Sequence, residues 1–443
     1  MSSTAEATPR NSSSVENEMQ NLKIRPGDAN STEDVQVDSE QSKFSAILGI
    51  LRKVIGVADV INLRLSLPSQ LLDPIPNLEY WNYMDRPDYF VAIPESDDEV
   101  ERMLATLAWW FSKLLKHKGK IHKPFNSILG EQFFCRWDIG ASSSGTSSTE
   151  RESTVASSIT DVSAGSDSLP VHVEYITEQI SHHPPVSAFV YRCPQKGVEA
   201  AGLDHICAKF TGLSATVATG SESKGIFVTL KSRDNETYHT THPVGNIVGW
   251  LRGNLKVQFA ECSYIVCQKT GLAAVIEFKE ERWFGKSKEN VVGKVFKYDP
   301  QVLDKDTIMT WRLKDIPKSC SVVATFEGCW DKKVTVQRMN GSKKLGEAQT
   351  LLDMSDLDIA EKIVKPLEEQ SDLESRKIWE PVAAMMLQGK YGDATKLKRG
   401  IEEKQRTLAS ERKEKGTAFV PALFKADYSS GNPELLDAAV INI

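Results

Sequence analysis

The chain has 443 residues, 40% of them hydrophobic and 26% charged, the balance of an ordinary globular protein. Its 54 Lys and Arg against 60 Asp and Glu leave a net charge of −6, which excludes a general nucleic-acid coat, because neutralising phosphates takes a basic surplus. The seven Cys are odd in number and form no CxxC, which argues against a disulfide scaffold or a structural zinc site and fits a reducing compartment.

Residues 1–43 are rich in Ser, Asn and acids and poor in large apolar side chains. They hold eight acids and four bases, so this stretch carries −4 of the −6. Such a segment buries too little apolar area to offset its ordering entropy, and a disordered acidic tail is expected. No basic and apolar blocks of a signal peptide open the chain, and no run of about 18 apolar residues follows. A cytosolic protein with only peripheral membrane contact is expected, with no cofactor and no metal.

Apolar character begins at Phe44. Phe44, Ile47, Leu48, Leu51, Val54, Ile55 and Ala58 follow i, i+3, i+4, i+7 spacing, which predicts an amphipathic helix weakened by Gly49 and Gly56. It is read either as a core-packed first helix or as a movable lid or membrane-touching segment. The Pro-rich stretch from Leu67 to Trp81 predicts extended and turning chain. Residues 97–115 predict a helix with Met103, Leu104, Leu107, Trp110, Phe111 and Leu114 on one face, the Trp109–Trp110 pair belonging to a core.

From about residue 130 to 340 the period changes to two. Segments 171–175, 225–230, 255–259, 273–278, 322–326 and 333–338 read as short strands punctuated by Gly, Asn and Asp. Many short strands with few helices between them predict an antiparallel meander closing into a barrel or sandwich. Residues 140–168 interrupt it with a Ser/Thr/Gly run, expected to be a disordered loop open to phosphorylation. Helical periodicity returns at 373–388 and 393–415, and extended chain resumes at Phe419.

Three segments could carry chemistry. Glu178-Gln-Ile-Ser-His-His-Pro-Pro185 places two imidazoles on a backbone stiffened by Pro, donors that become cationic beside an anion. Regular strand geometry would send His182 and His183 to opposite faces, so one ligand could use both only if a turn at Pro184 redirects one. Lys123, in Lys120-Ile-His-Lys-Pro-Phe-Asn-Ser-Ile-Leu-Gly-Glu131, is a point-charge partner for a phosphate, with Asn126 a nearby polar group. Lys398, Glu402 and Arg406 follow at spacings of four and share one helical stripe. By periodicity alone that stripe is equally an ordinary salt-bridged surface helix, and the loop an ordinary solvated one. Together the segments offer two His, two Lys and one Arg, which suits a phosphate monoester or diester. A phosphoesterase built on His182 and His183 would need a nucleophile or a metal set beside them, and the sequence supplies neither.

Glu178-Gln-Ile-Ser-His-His-Pro-Pro resembles the signature of the oxysterol-binding protein family, usually EQ-[VI]-SHHPP. Lys123-Pro-Phe-Asn-Ser-Ile-Leu-Gly-Glu131 resembles its KP-x-N-x-x-LGE block, and Glu374-Ser-Arg-Lys-Ile-Trp and the 398–406 segment resemble its C-terminal blocks. The resemblance implies a mainly β fold: a large, nearly closed antiparallel barrel around an apolar lipid tunnel, with an N-terminal lid and a C-terminal helical subdomain. It would place the lid at 44–61, marked by Phe44, Ile47, Leu48 and Leu51, the lipid-binding domain at 44–428 with C-terminal helices at 372–415, and a tail at 429–443. It also implies a lipid transporter and not an enzyme, one that exchanges phosphatidylinositol 4-phosphate for a sterol or for phosphatidylserine, or senses lipid with little net transfer. By the family's pattern His182, His183 and Arg406 hold the inositol 4-phosphate, Lys123 and Lys398 the phosphate that joins inositol to glycerol, and Asn126 and Glu402 the rest of the head group. A short, monomeric, cytosolic carrier is expected, touching anionic surfaces of endoplasmic reticulum, Golgi or plasma membrane, with no nucleic-acid partner.

Overall fold

The computed structural model describes residues 69, 72–119, 121–140, 171–210, 215–249, 255–279 and 291–437, all within one unit running from Ser39 to Ile443. The predicted acidic tail, the lid residues Phe44, Ile47, Leu48 and Leu51, and the Ser-rich insertion from residue 141 lie outside the described residues.

The strands, in chain order, are β1 (Gln132–Ile139), β2 (Val171–His182), β3 (Pro185–Cys193), β4 (Val198–Asp204), β5 (Ile206–Phe210), β6 (Ala215–Thr219), β7 (Ile226–Leu230) and β8 (Glu236–Thr240). They continue with β9 (Val244–Val248), β10 (Lys256–Ala260), β11 (Cys262–Cys267), β12 (Leu272–Phe278), β13 (Val291–Lys297), β14 (Ser321–Gly328), β15 (Lys333–Asn340) and β16 (Lys343–Asp353). Twelve of them form one antiparallel sheet in the order β1-β2-β3-β4-β7-β8-β11-β12-β13-β14-β15-β16, and the other four form a second in the order β10-β9-β6-β5. The chain leaves the large sheet at His205, between β4 and β5, and at residues 241–243, between β8 and β9, and returns to it between β6 and β7 and between β10 and β11.

Strand alternation sorts the large sheet into two faces. Phe133, Cys135, Trp137, Val173, Tyr175, Phe189 and Tyr191 point inward to a single large core, together with Leu272, Ala274 and Ile276. Their neighbours Phe134, Ile176, Ile180, Val186 and Ala188 point outward and are covered by Leu423 and Phe424. Farther along, Ala273, Val275 and Phe296 are covered on the outside by Ile308 and Cys320. At one close approach Gly293 lies opposite Phe326, whose ring would sit 1.9 Å from an added Cβ, so no larger residue fits without displacing the aromatic.

The inner face wraps around helices. Short α1 (Asn77–Tyr80) and α2 (Pro87–Val91) lead to α3 (Glu99–Ser112), in which every residue from Arg102 to Ser112 is buried. Asp98 caps α3, accepting the backbone N–H of Val100 at 2.7 Å and of Glu101 at 3.0 Å. A helix buried all round needs partners on every side. Arg102 pairs with Glu236 on β8 through contacts of 2.8 and 2.7 Å, Trp110 donates to the Thr241 carbonyl at 2.8 Å, and Phe111 meets Phe326 on β14 edge-on. Glu99 pairs with Lys297 on β13, and Glu101 with Arg338 on β15.

The sheet is not strictly closed. Its first and last strands do not pair; instead the chain leaving β16 passes along β1, where Arg136 and Ile363 exchange backbone hydrogen bonds of 3.0 and 2.7 Å. The mainly β expectation therefore holds, with the last gap bridged by an irregular segment. Outside the sheet, after the short α4 (Lys305–Ile308), α5 (Ser375–Leu387) and α6 (Tyr391–Glu414) pack on each other. Residues read from sequence as a C-terminal tail fold back instead: Leu436 donates to the Leu423 carbonyl and Lys425 to that of Glu434. No disulfide joins any of the seven cysteines, all of which lie among the described residues. Among the described residues, no helix is long and apolar enough to cross a membrane.

Removing one partner of the Arg102–Glu236 pair would leave a buried charge without compensation. Glu236→Ala is expected to cost about 3–5 kcal/mol, read as a lower midpoint in chemical denaturation; an unchanged midpoint would mean that α3 does not depend on this contact.

Candidate functional site

Three segments distant in sequence meet at one edge of the large sheet. The first, residues 121–131, is laid against the Pro-rich stretch by backbone bonds. Asp73 N–H donates to the Lys123 carbonyl at 2.9 Å, Phe125 N–H donates to that of Ile75 at 3.1 Å, and the Asp73 carboxylate accepts the Lys123 N–H at 2.9 Å. Phe125 is buried and stacks on Trp379 of α5 with ring centres 4.9 Å apart. The anchored loop leaves Lys123 and Asn126 side by side, with the ammonium donating to Asn126 Oδ1 at 2.8 Å and to the Pro124 carbonyl at 3.0 Å.

The second segment is the β2–β3 hairpin. His182 lies opposite Pro185, so His183 and Pro184 form its turn, and the ladder shifts register between Gln179 and Ser181. That irregular end brings both imidazoles together, with ring centres 4.8 Å apart and planes inclined at 66°. Crowding by protein holds the His182 pKa below its usual value, assisted by His183 and opposed by Glu402.

The third segment is α6. Its start is fixed by Ser69, whose hydroxyl reaches Thr395 Oγ1 at 2.6 Å and the Tyr391 carbonyl at 2.8 Å, and by Ala394, buried beside Phe125, Trp379 and Val382. Lys398 is consequently buried, at 4% exposure, and its ammonium lies 2.5 Å from Glu402 Oε1. Arg406 stands one turn beyond Glu402, half exposed, 4.0 Å from Glu402 Oε2 and 2.7 Å from Glu403.

Electrostatic contacts join the segments. Although Lys123 keeps contact with solvent, protein hems in its ammonium, and this crowding, followed by the charge of Lys398, pushes its pKa down to about 8. It stays mostly protonated at neutral pH, so two cations face each other, and the acceptors of the Lys123 ammonium among the described residues, the Pro124 carbonyl and Asn126 Oδ1, are both neutral. Glu402 lies between Lys398, Arg406 and the field of His182. All seven residues singled out from sequence (Lys123, Asn126, His182, His183, Lys398, Glu402 and Arg406) thus form one continuous chain of neighbours. Its excess of cations over acids suits a multiply charged anion. Among the described residues no three of His, Cys, Asp and Glu are grouped as a metal site.

Sequence reasoning missed a second polar group, inside the sheet. The Tyr83 hydroxyl donates to Asp204 Oδ1 at 2.6 Å, the Tyr83 ring lies 5.0 Å from that of His242, and the Lys113 ammonium sits 4.5 Å over Trp110. Lys113 is 2% exposed, and among the described residues neither its Nζ nor His242 Nε2 has a hydrogen-bond partner. Burial pushes the Asp204 carboxyl up to about 7 and holds Lys113 and His242 well below their usual values, so each is driven toward its neutral form. Residues 83, 113, 204 and 242 come from four separate stretches of chain, only Asp204 of them within a strand, and carry no shared spacing. Only a charged side chain inside the predicted helix, Lys113, could have signalled them.

The sequence model of the oxysterol-binding protein family matches residues 46–385. The chain belongs to the oxysterol-binding protein family. This is a family of lipid-binding and lipid-transfer proteins, not enzymes. The chain is 37% identical to oxysterol-binding protein-like protein 1 of Schizosaccharomyces pombe, with the match covering 90% of each. It resembles the Osh1 ORD domain solved in complex with cholesterol, with a TM-score of 0.63 and 20% identity over 94% of this chain and 89% of the other. It also resembles the Osh3 ORD of Saccharomyces cerevisiae solved in complex with PI(4)P, with a TM-score of 0.60 and 18% identity over 88% of this chain and 90% of the other. Both structural likenesses confirm the fold.

If Lys398 depresses Lys123 through its charge, Lys398→Met will raise the Lys123 pKa from about 8 toward 10.5. Titration of isotope-labelled lysine ε-methylene carbons by NMR reads this directly, and an unchanged Lys123 value would mean that crowding alone sets it.

Proposed function

We propose that the protein extracts one lipid at a time and carries it between membranes, exchanging phosphatidylinositol 4-phosphate for a sterol. The observation that carries this reading is the crowding of Lys123 against Lys398 next to the His182–His183 turn and Arg406. Bringing like charges together costs free energy that a bound anion recovers. In this reading His182, His183 and Arg406 take the 4-phosphate, Lys123 and Lys398 the phosphodiester, and Asn126 and Glu402 the inositol hydroxyls. The acyl chains, or the sterol, lie against the inward apolar residues, where burial contributes about 25 cal/mol per Å².

The interior polar group favours sterol over phosphatidylserine as the second cargo. Lys113, Asp204 and His242 are all driven toward neutrality, which suits the single hydroxyl of a sterol and penalises a zwitterionic or anionic head group. Relatives solved with cholesterol and with PI(4)P agree with this pair of ligands. The eight bases and four acids of residues 396–415 would let the mouth touch an anionic surface briefly, from the cytosol and as a monomer.

The test is extraction from vesicles. The double variant His182→Ala, His183→Ala is expected to lose phosphoinositide extraction while keeping sterol binding, and retained extraction would defeat the head-group assignment. Lys113→Met is expected to weaken sterol uptake more than phosphoinositide uptake; phosphatidylserine uptake matching that of sterol in the wild type would defeat the choice of second cargo.

A further inference from the structure

Glu178 is fully buried four residues before His182, and its carboxylate forms no ion pair among the described residues. Its two oxygens accept the backbone N–H groups of Ala422 and Leu423, each at 2.8 Å. Burial raises its pKa and these two donors oppose the rise. Only a carboxylate suits both donors: Gln would offer one oxygen and turn its NH2 toward the second N–H. The clamped residues follow α6, and Leu423 and Phe424 are buried with Ile176, Ile180 and Val186 on the outer face of the β2–β3 hairpin. The start of α6 is held separately, by Ser69 and Ala394. Lys398 lies near that fixed start, and Arg406 lies two turns farther toward the clamped end.

We propose that Glu178 is a positioning residue for the head-group site: by fixing the chain at Ala422 and Leu423 against β2, it holds the distal half of α6 so that Arg406 converges with His182 and His183 on one phosphate. This rests on the head-group reading above. It also predicts that the clamp acts on Arg406 and not on Lys398, a distinction that a general loss of stability would not make.

The experiment is a pair of double-mutant cycles read as extraction of phosphatidylinositol 4-phosphate from phosphatidylcholine vesicles. In the wild type, Arg406→Ala is expected to lower affinity roughly tenfold, the scale of one charge-assisted contact. In Glu178→Gln the same change is expected to cost less than about twofold, while Lys398→Ala costs the same in both backgrounds. Equal Arg406→Ala losses in both backgrounds would overturn the proposal, as would a Lys398→Ala effect that also vanishes. Should Glu178→Gln not fold, Glu178→Asp, which keeps the charge and withdraws it by one methylene, enters the same cycles; if neither folds, Glu178 is structural and the proposal is overturned. A wild-type protein that extracts no phosphoinositide would instead defeat the head-group reading, and the proposal with it.

Discussion

The site depends on one junction of backbone. Gly130 donates its N–H to the Gln179 carbonyl at 2.9 Å, and Gln179 donates back to the Glu131 carbonyl at 2.8 Å. This exchange locks the Lys123 loop to the strand that ends in His182. Glu131, fully buried beside it, accepts from Ile128 N–H at 2.9 Å, Ser375 Oγ at 2.7 Å and Trp379 Nε1 at 3.1 Å, which ties α5 to the same point. Because α6 packs on α5, the third segment is carried into place. Burial pushes the Glu131 carboxyl up to about 7 despite these donors, a cost offset because the carboxylate accepts from three buried donors at once.

From this junction the molecule divides its electrostatics in two. At the mouth, Lys123, Lys398 and Arg406 outnumber Glu402 and the exposed Glu403, and the two imidazoles of His182 and His183 stand together beside them. Inside the sheet, desolvation disfavours charge on Lys113, Asp204 and His242. A lipid has the same division, with a charged end and an apolar body. A molecule with only one weakly polar group can reverse its orientation and present that group to the interior.

Much of this was legible in the sequence. The period-two segments read at 225–230, 273–278 and 333–338 are strands at 226–230, 272–278 and 333–340, and their inward residues share one core with α3. The stripe of Lys398, Glu402 and Arg406 is a feature of helical periodicity, which does not depend on the rest of the fold. Other elements were hidden for physical reasons. The small residues of β4, Val-Glu-Ala-Ala-Gly-Leu-Asp, have weak strand propensity and take their structure from β3 and β7. The exposed residues of β16 give no apolar pattern to read. Glu131 and Glu178 stood within the motifs, yet their task was invisible, because Glu178 binds main-chain N–H groups 244 and 245 residues away and a backbone donor has no sequence signal. The meeting of Lys113 with Asp204 likewise exists only in three dimensions.

The most direct test of exchange is a two-vesicle transfer assay in which sterol starts in one population and phosphatidylinositol 4-phosphate in the other, with both lipids followed in time. Exchange predicts that each lipid moves against the other, and that sterol transfer slows when the phosphoinositide is omitted. Sterol transfer that is absent, or that runs at the same rate without the phosphoinositide, would contradict the account.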